Sequence, residues 1–369
     1  MWHPASRKLR QRANKEIIIS TSHDERDPVQ GFSPAGHLLS LITGYWISQA
    51  IHVAAQLGIA DLLGKRGRPV EDLAAATGSN ADALYRLLRG LASAGVFAEA
   101  APRQFVLTPM GALLKREMPG NLRDFSRLQG EGWHWDAWGS LAESVRNGHP
   151  AQVLADGAGR PDANCFDYLA SRPAAAAVFN AAMSGYSSQV HAAVADAYDF
   201  SAARVVMDVG GGQGGLLALL LGQYPSLRGV LFDQDSVVAG ARETFLDAEV
   251  ADRVQIVSGD FFSGLPQGAN VVLLCAVIHD WDDDRAAAIL GNVLRVLGRD
   301  GRLLIVDNVI PEGNEAHPGK LIDIEMLLLT GGRERTRREF EVLLGVAGLR
   351  IERVLPTAVS ISIIEARPA

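Results

Sequence analysis

The 369 residues, at roughly 150 per domain, allow two or three domains and a large buried core. Hydrophobic residues make up 48% and charged residues 21%, which excludes a disordered chain. A net charge of −7 argues against a broad nucleic-acid footprint, and the longest uninterrupted apolar run, Val271 to Ile278, is too short for a membrane-spanning helix of roughly 20 residues.

The first 30 residues carry six basic and four acidic side chains and lack the long apolar centre of a secretory signal. A disordered tail or an early start codon is the expectation for 1–30, with an organelle address as the alternative. From Pro34 towards Leu57, Leu38, Leu41, Ile42, Tyr45, Trp46 and Gln49 step along one helical face. Pro69 to Ala76 reads as a short helix ended by Gly78, and Asn80 as the cap of a helix striped by Leu84, Leu87, Leu88 and Leu91. Two strand-like pieces follow, Val96 to Glu99 and Phe105 to Leu107, and Thr108-Pro109 then opens another helix. Helix, helix and hairpin over 31–115 predict a winged-helix-like domain, with a generic helical cap as the alternative. Its seven basic and five acidic side chains are too balanced for a phosphate grip.

Residues 116–200 read as a helical linker. They hold Trp133, Trp135 and Trp138 within six positions, a flat apolar surface that suits either an interdomain core or a wall for an aromatic ligand. Over 201–369 the rhythm becomes strand, loop, helix. Strands are predicted at Val205–Val209, Gly229–Phe232, Val254–Val257, Val271–Ile278 and Leu303–Val306. Helices are predicted at Gly215–Gln223, Ser236–Ala248 and Asp283–Leu297, and a helix at Thr336 to Val346 is followed by two strands. That alternation means a parallel α/β sheet whose last strand, Ser360–Ala366, runs antiparallel.

After the first of these strands comes Asp208-Val209-Gly210-Gly211-Gly212-Gln213-Gly214-Gly215. Glycines there allow a tight turn and a close backbone approach, at a helix N-terminus with free N–H groups. The stretch satisfies the dinucleotide pattern Gly210-x-Gly212-x-x-Gly215 and also the acidic-led loop of S-adenosylmethionine (SAM) methyltransferases. Asp233 stands where either nucleoside presents its ribose. Asp260 and Phe261 after the third strand, His279 after the fourth and the antiparallel last strand favour the methyltransferase pattern.

With Gly331-Gly332-Arg333-Glu334-Arg335-Thr336 added, the chain resembles the plant-type small-molecule O-methyltransferases, caffeate- and flavonoid-like, and their bacterial natural-product-tailoring relatives, over residues 35 to 367. The resemblance implies a Rossmann-like SAM-methyltransferase domain, seven-stranded with the last strand antiparallel, and an N-terminal winged-helix domain for homodimerisation. It implies SAM contacts at Asp208, Gly210, Gly212, Asp233, Asp260 and Phe261, and at Cys275, where plant members carry a lysine. It implies His279 as catalytic base flanked by Asp307 and Glu334, and a chamber lined by Phe179 and Met183, with Trp133 and Trp138 added by the aromatic-wall reading. The implied enzyme methylates a phenolic hydroxyl of a small aromatic secondary metabolite, without metal, nucleic acid or membrane. Cys165 and Cys275 sit in no metal-ligand spacing, and so few cysteines suit a reducing cytoplasm. N- or C-methylation, or a non-methylating tailoring reaction, is the alternative.

Overall fold

In the computed structural model the described residues are 33–64, 66–118, 120–155 and 163–369, and the expected tail at 1–30 lies outside them. The chain divides into a unit ending at Tyr45 and a body from Trp46 to Ala369. The first unit's helix, Pro34–Ile42, starts on the Ser33 side chain, which accepts from the Gly36 N–H, and stops at Thr43. The predicted helix is therefore two, the second being Gly44–Gln56. Leu38, Leu39, Leu41, Ile42, Tyr45 and Trp46 are exposed. The 23 residues Pro34–Gln56 contain an 18-residue window of mean hydropathy 1.3, enough by length and composition to cross a membrane. The count of uninterrupted apolar residues did not register this.

Within the body, Gln56 is followed by the helices Val70–Thr77 and Ala81–Ser93 and the hairpin of β2 (Phe97–Ala101) and β3 (Gln104–Leu107). A short β1 (Arg68–Pro69), absent from the sequence reading, pairs antiparallel with β3. Gly78 ends the first helix at φ +66°, a conformation that glycine adopts without strain. Asn80 caps the next by accepting from the N–H groups of Asp82 and Ala83. Leu84, Leu88 and Leu91 then bury one stripe against Phe97 and Phe105.

The main sheet has seven strands: β4 (Val205–Val209), β5 (Arg228–Asp233), β6 (Val254–Ser258), β7 (Val271–Cys275), β8 (Arg302–Asn308), β9 (Leu349–Pro356) and β10 (Ile361–Pro368). Their order is β6-β5-β4-β7-β8-β10-β9, and β10 runs antiparallel between β8 and β9. Alternate residues feed two cores. Val206, Leu231, Leu273, Leu304 and Ile363 pack under the helices Pro173–Ala197 and Gly215–Gln223. Met207, Val230, Val272, Leu303 and Ile364 pack under Asp283–Val296 and Arg337–Val346. The chain steps outward from β4 to β6, then returns to β7 on the other side. The switch point lies between β4 and β7, where open sheets of this kind place their ligands.

Two predicted elements end early. β7 stops at Cys275, because Ala276 takes a left-handed φ of +52° while its N–H donates to Val306 O at 2.9 Å. Ile278–Asp280 follows as a single tight turn, so His279 sits on a loop four residues past the strand. The predicted helix Ser236–Ala248 is split into Asp235–Val238 and Ala241–Asp247, with Gly240 between them.

Candidate active site

The glycine loop leaves β4 with Gly210 at φ +71° and Gly212 at φ +60°. A Cβ on Gly210 would sit 2.7 Å from the Val277 side chain, so bare backbone is required there. Asp233, at the end of β5, accepts from the Gly212 N–H at 2.8 Å and from the Gln234 N–H at 2.7 Å. Two of its roughly four acceptor positions remain for hydroxyl donors. Burial pushes its pKa up, against the pull of those two N–H groups. Asp208 is fully buried beneath the loop, and burial followed by the Asp233 charge pushes it up to about 7. Its Oδ1 has no partner among the described residues.

After β6, Asp260 closes its own turn, accepting from the Phe262 N–H at 2.9 Å and the Ser263 hydroxyl at 3.1 Å. Phe261 packs against the core and meets Trp281 edge-on at 5.9 Å. Its neighbour Phe262, which carried no role in the sequence reading, lines an open cleft of about 520 Å³ with Trp281, Phe166 and Asn164. Cys275 ends β7. Burial, then the charges of Asp208 and Asp307, hold its thiol well above the ordinary range, so it stays neutral.

The His279 loop is clamped from the opposite side by residues 331–335. A Cβ on Gly332 would lie 2.1 Å from His279 O, so only glycine admits this approach. The Arg333 N–H donates to His279 O at 2.8 Å. Arg335, 1% exposed, donates to Ile278 O at 3.2 Å, to Trp281 O at 2.9 Å and to Asp283 Oδ1 at 2.8 Å.

This clamp brings Glu334 Oε1 to 3.0 Å from His279 Nδ1. The Asn308 amide donates to that oxygen at 2.8 Å, and the Glu334 N–H donates to Asp323 Oδ1 at 2.8 Å. Asp307 Oδ1 lies 4.0 Å from the same imidazole nitrogen. On the other side, Asp280 Oδ1 is 3.9 Å from Nε2. Asp280 received no role from sequence, because the turn that swings it towards Nε2 is not visible there. Burial pulls the imidazole pKa down, but Asp307, Asp280 and Glu334 together raise it to about 10. Burial pushes Asp307 up to about 7 and Asp280 to about 6, each against the pull of His279.

The four expected chamber residues fall in one apolar cluster. Trp133 is buried within it, while Trp138, Phe179 and Met183 are partly buried at its edge. Trp138 Nε1 donates to Glu325 Oε2 at 2.5 Å. Phe179 meets Phe166 edge-on at 6.4 Å, and Phe166 stacks on Trp281 at 6.3 Å, which links this cluster to the His279 loop.

Residues 138–350 match the O-methyltransferase domain family, and residues 39–117 match the O-methyltransferase dimerisation domain. The phenazine O-methyltransferase PhzM of Lysobacter antibioticus is 45% identical over 331 residues, 90% of this chain and 95% of that protein. The aclacinomycin 10-hydroxylase RdmB of Streptomyces purpurascens is 40% identical, covering 82% of this chain and 81% of its own. The mitomycin biosynthesis 6-O-methyltransferase of Streptomyces lavendulae is 39% identical, covering 89% and 93%. Among solved structures, that of LaPhzM superimposes with a TM-score of 0.85 at 44% identity, covering 92% of this chain and all of that one. The O-methyltransferase NcsB1 of neocarzinostatin biosynthesis, solved with SAM and 2-hydroxy-5-methyl naphthoic acid, gives 0.72 at 33% identity, covering 87% and 96%. The catalytic-domain match spans more than half of the chain and the relatives run nearly its full length, so this chain belongs to the SAM-dependent O-methyltransferase family.

Proposed function

We propose that this enzyme methylates a phenolic hydroxyl of a small aromatic secondary metabolite, with His279 as general base and no metal. The observation that carries this reading is the 3.0 Å contact between Glu334 and Nδ1 of His279, which sits on the loop after β7, the strand that pairs with β4 and so lies beside the glycine loop. A carboxylate at Nδ1 orients the ring and supports its positive charge, leaving Nε2 to exchange a proton with the acceptor. A phenol has a pKa near 10, close to that of this imidazole, so moving the proton between them costs little. Asp280, beside Nε2, steadies the proton as it arrives.

The loop fits SAM. Gly210 and Gly212 leave room for close backbone approach, Asp233 keeps acceptor positions for ribose hydroxyls, and the buried Asp208 beneath holds an Oδ1 with no partner among the described residues. When bound, SAM supplies an electrophilic methyl on a sulfonium. Asp260 and Phe261 are assigned to the adenine, Cys275 to a neutral contact, and Phe179, Met183, Trp133 and Trp138 to the acceptor walls. Asp307 is assigned to charge support of His279.

The reading assigns 31–115 to dimerisation, 116–200 to the linker and acceptor wall, and 201–369 to catalysis, in a cytoplasmic homodimer that binds neither membrane nor nucleic acid. The exposed row Leu38, Leu41 and Ile42, part of it within the dimerisation match, is an apolar face that a second copy would cover. Light scattering at micromolar concentration is expected to report a dimer, and a monomer alone would refute this assignment. A second reading is a non-methylating reaction on the same scaffold, as the name of the hydroxylase relative illustrates. The His279–Glu334 contact favours methyl transfer, which needs a base.

Calorimetry tests the cofactor site. Asp233→Ala is expected to weaken SAM by about 1.5 to 3 kcal/mol, the range for hydrogen bonds to charged groups. NADH is expected not to bind the parent protein. Unchanged SAM affinity in a folded Asp233→Ala protein would sink the assignment.

A further inference from the structure

A second histidine–carboxylate pair lies away from His279. His134, on the helix Gly132–Gly139, is 1% exposed, and its Nε2 is 2.7 Å from Oε1 of Glu325 on the helix Gly319–Leu329. The other Glu325 oxygen accepts from Trp138 Nε1. With both oxygens engaged, the carboxylate is fixed, and as an acceptor beside Nε2 it selects the tautomer that carries its N–H there. Nδ1 is then a lone-pair acceptor. It is buried and has no hydrogen-bond partner among the described residues. An unmet acceptor of this kind is costly unless something else completes it.

The pair is close to the reaction chamber. His134 packs edge-on against Trp133 at 5.6 Å, and Trp133 lies in the cluster that contains Phe179, Met183, Ile324 and Cys165. Burial first, then the charges of Asp280 and Glu325, push the Cys165 thiol up, so that side chain is within electrostatic reach of both carboxylates. Asp280 stands beside His279 Nε2. Cys165 shares that cluster with Trp133, and the next residue, Phe166, stacks on Trp281 of the His279 loop at 6.3 Å, which links the His134 pair to the His279 loop through apolar side chains.

We propose that His134, held by Glu325 and Trp138, is a specificity-determining residue that accepts a hydrogen bond from a second hydroxyl or amino group on the aromatic acceptor. This rests on the methyltransferase reading and narrows its substrate class to planar aromatics bearing two donors at opposite edges. A site built to pair a donor rejects the analogue that lacks it far more strongly than an apolar wall would.

The test is calorimetric titration of the protein saturated with S-adenosylhomocysteine, using 2-naphthol and 2,7-dihydroxynaphthalene as probes. The parent is expected to bind the diol at least tenfold more tightly. His134→Phe, which keeps a ring but removes the acceptor, should bring the two affinities together. Glu325→Gln should narrow the gap while keeping a group for Trp138 to donate to. Both variants should bind S-adenosylhomocysteine as the parent does. Equal affinities in the parent, as expected if Nδ1 holds only an internal water, would overturn the proposal. So would failure of both probes to bind, or a loss that is the same for both. A parent that does not bind S-adenosylhomocysteine would instead overturn the methyltransferase reading, and this inference with it.

Discussion

His279→Gln is expected to lower turnover on a phenol by about 10² or more at pH 7 while leaving SAM affinity nearly intact. The surrounding carboxylates push the imidazole pKa up to about 10, so at neutral pH one proton must leave the imidazolium–phenol pair before transfer. The parent rate should therefore rise with pH from 7 towards 10. The variant lacks the proton acceptor and depends on phenolate formed in solution, so its defect should shrink as pH approaches the phenol's own pKa. Nitrophenols, already ionised, should be rescued most. Stability shifts in a defined direction as well. A histidine whose folded pKa is raised contributes stability below its ordinary 6.5 that disappears as pH rises through the folded value of about 10. Asp307 and Asp280 ionise near 7 and 6, so the clean window is pH 7 to 10. Across it, the melting-temperature advantage of the parent over His279→Gln should fall, and an advantage that grows with pH would contradict the assigned charges.

Arg335→Met should be the most damaging single change outside the hydrophobic cores. It leaves Trp281 O without its Arg335 donor, leaves Ile278 O with the longer Trp281 N–H bond at 3.3 Å, and strips Asp283 of a partner. Breaking a buried pair costs roughly 3 to 5 kcal/mol. Asp283 is largely exposed and regains hydration, so about 3 kcal/mol is the expectation here. At about 2 to 4 °C per kcal/mol for a domain of this size, that is a loss of roughly 6 to 12 °C in Tm. Because the same contacts pin the His279 loop, kcat should fall more than SAM affinity. A melting temperature within a degree of the parent would show that the clamp bears little load.

Much of this arrangement was legible because its signals are local. The glycine loop, the carboxylate ending β5 and the segment Gly331–Thr336 each declare themselves within a few residues, and apolar alternation placed six strands of the main sheet. The seventh, β7, was overextended for a physical reason. Val271 to Ile278 is apolar throughout, and the reversal at Ala276 comes from its pairing with Val306, thirty residues away. The consequence is chemical, since that turn sets Asp280 beside Nε2. Arg335 was read as part of a motif, but its acceptors belong to a loop more than fifty residues earlier. His134 and Glu325 are 191 residues apart, so no spacing rule could have joined them. The tryptophan-rich stretch was read as either core or wall. Trp133 takes the buried place, while Trp138 spends its N–H on Glu325.

The most direct test of the central claim uses 7-amino-2-naphthol, which offers a hydroxyl at one edge and an amino group at the other, together with SAM carrying a 13C-labelled methyl. Product NMR should show the label as a single O-methyl carbon, formed by the parent and at least 10²-fold more slowly by His279→Gln. Label on the amino nitrogen, or O-methyl product formed equally fast without His279, would contradict it.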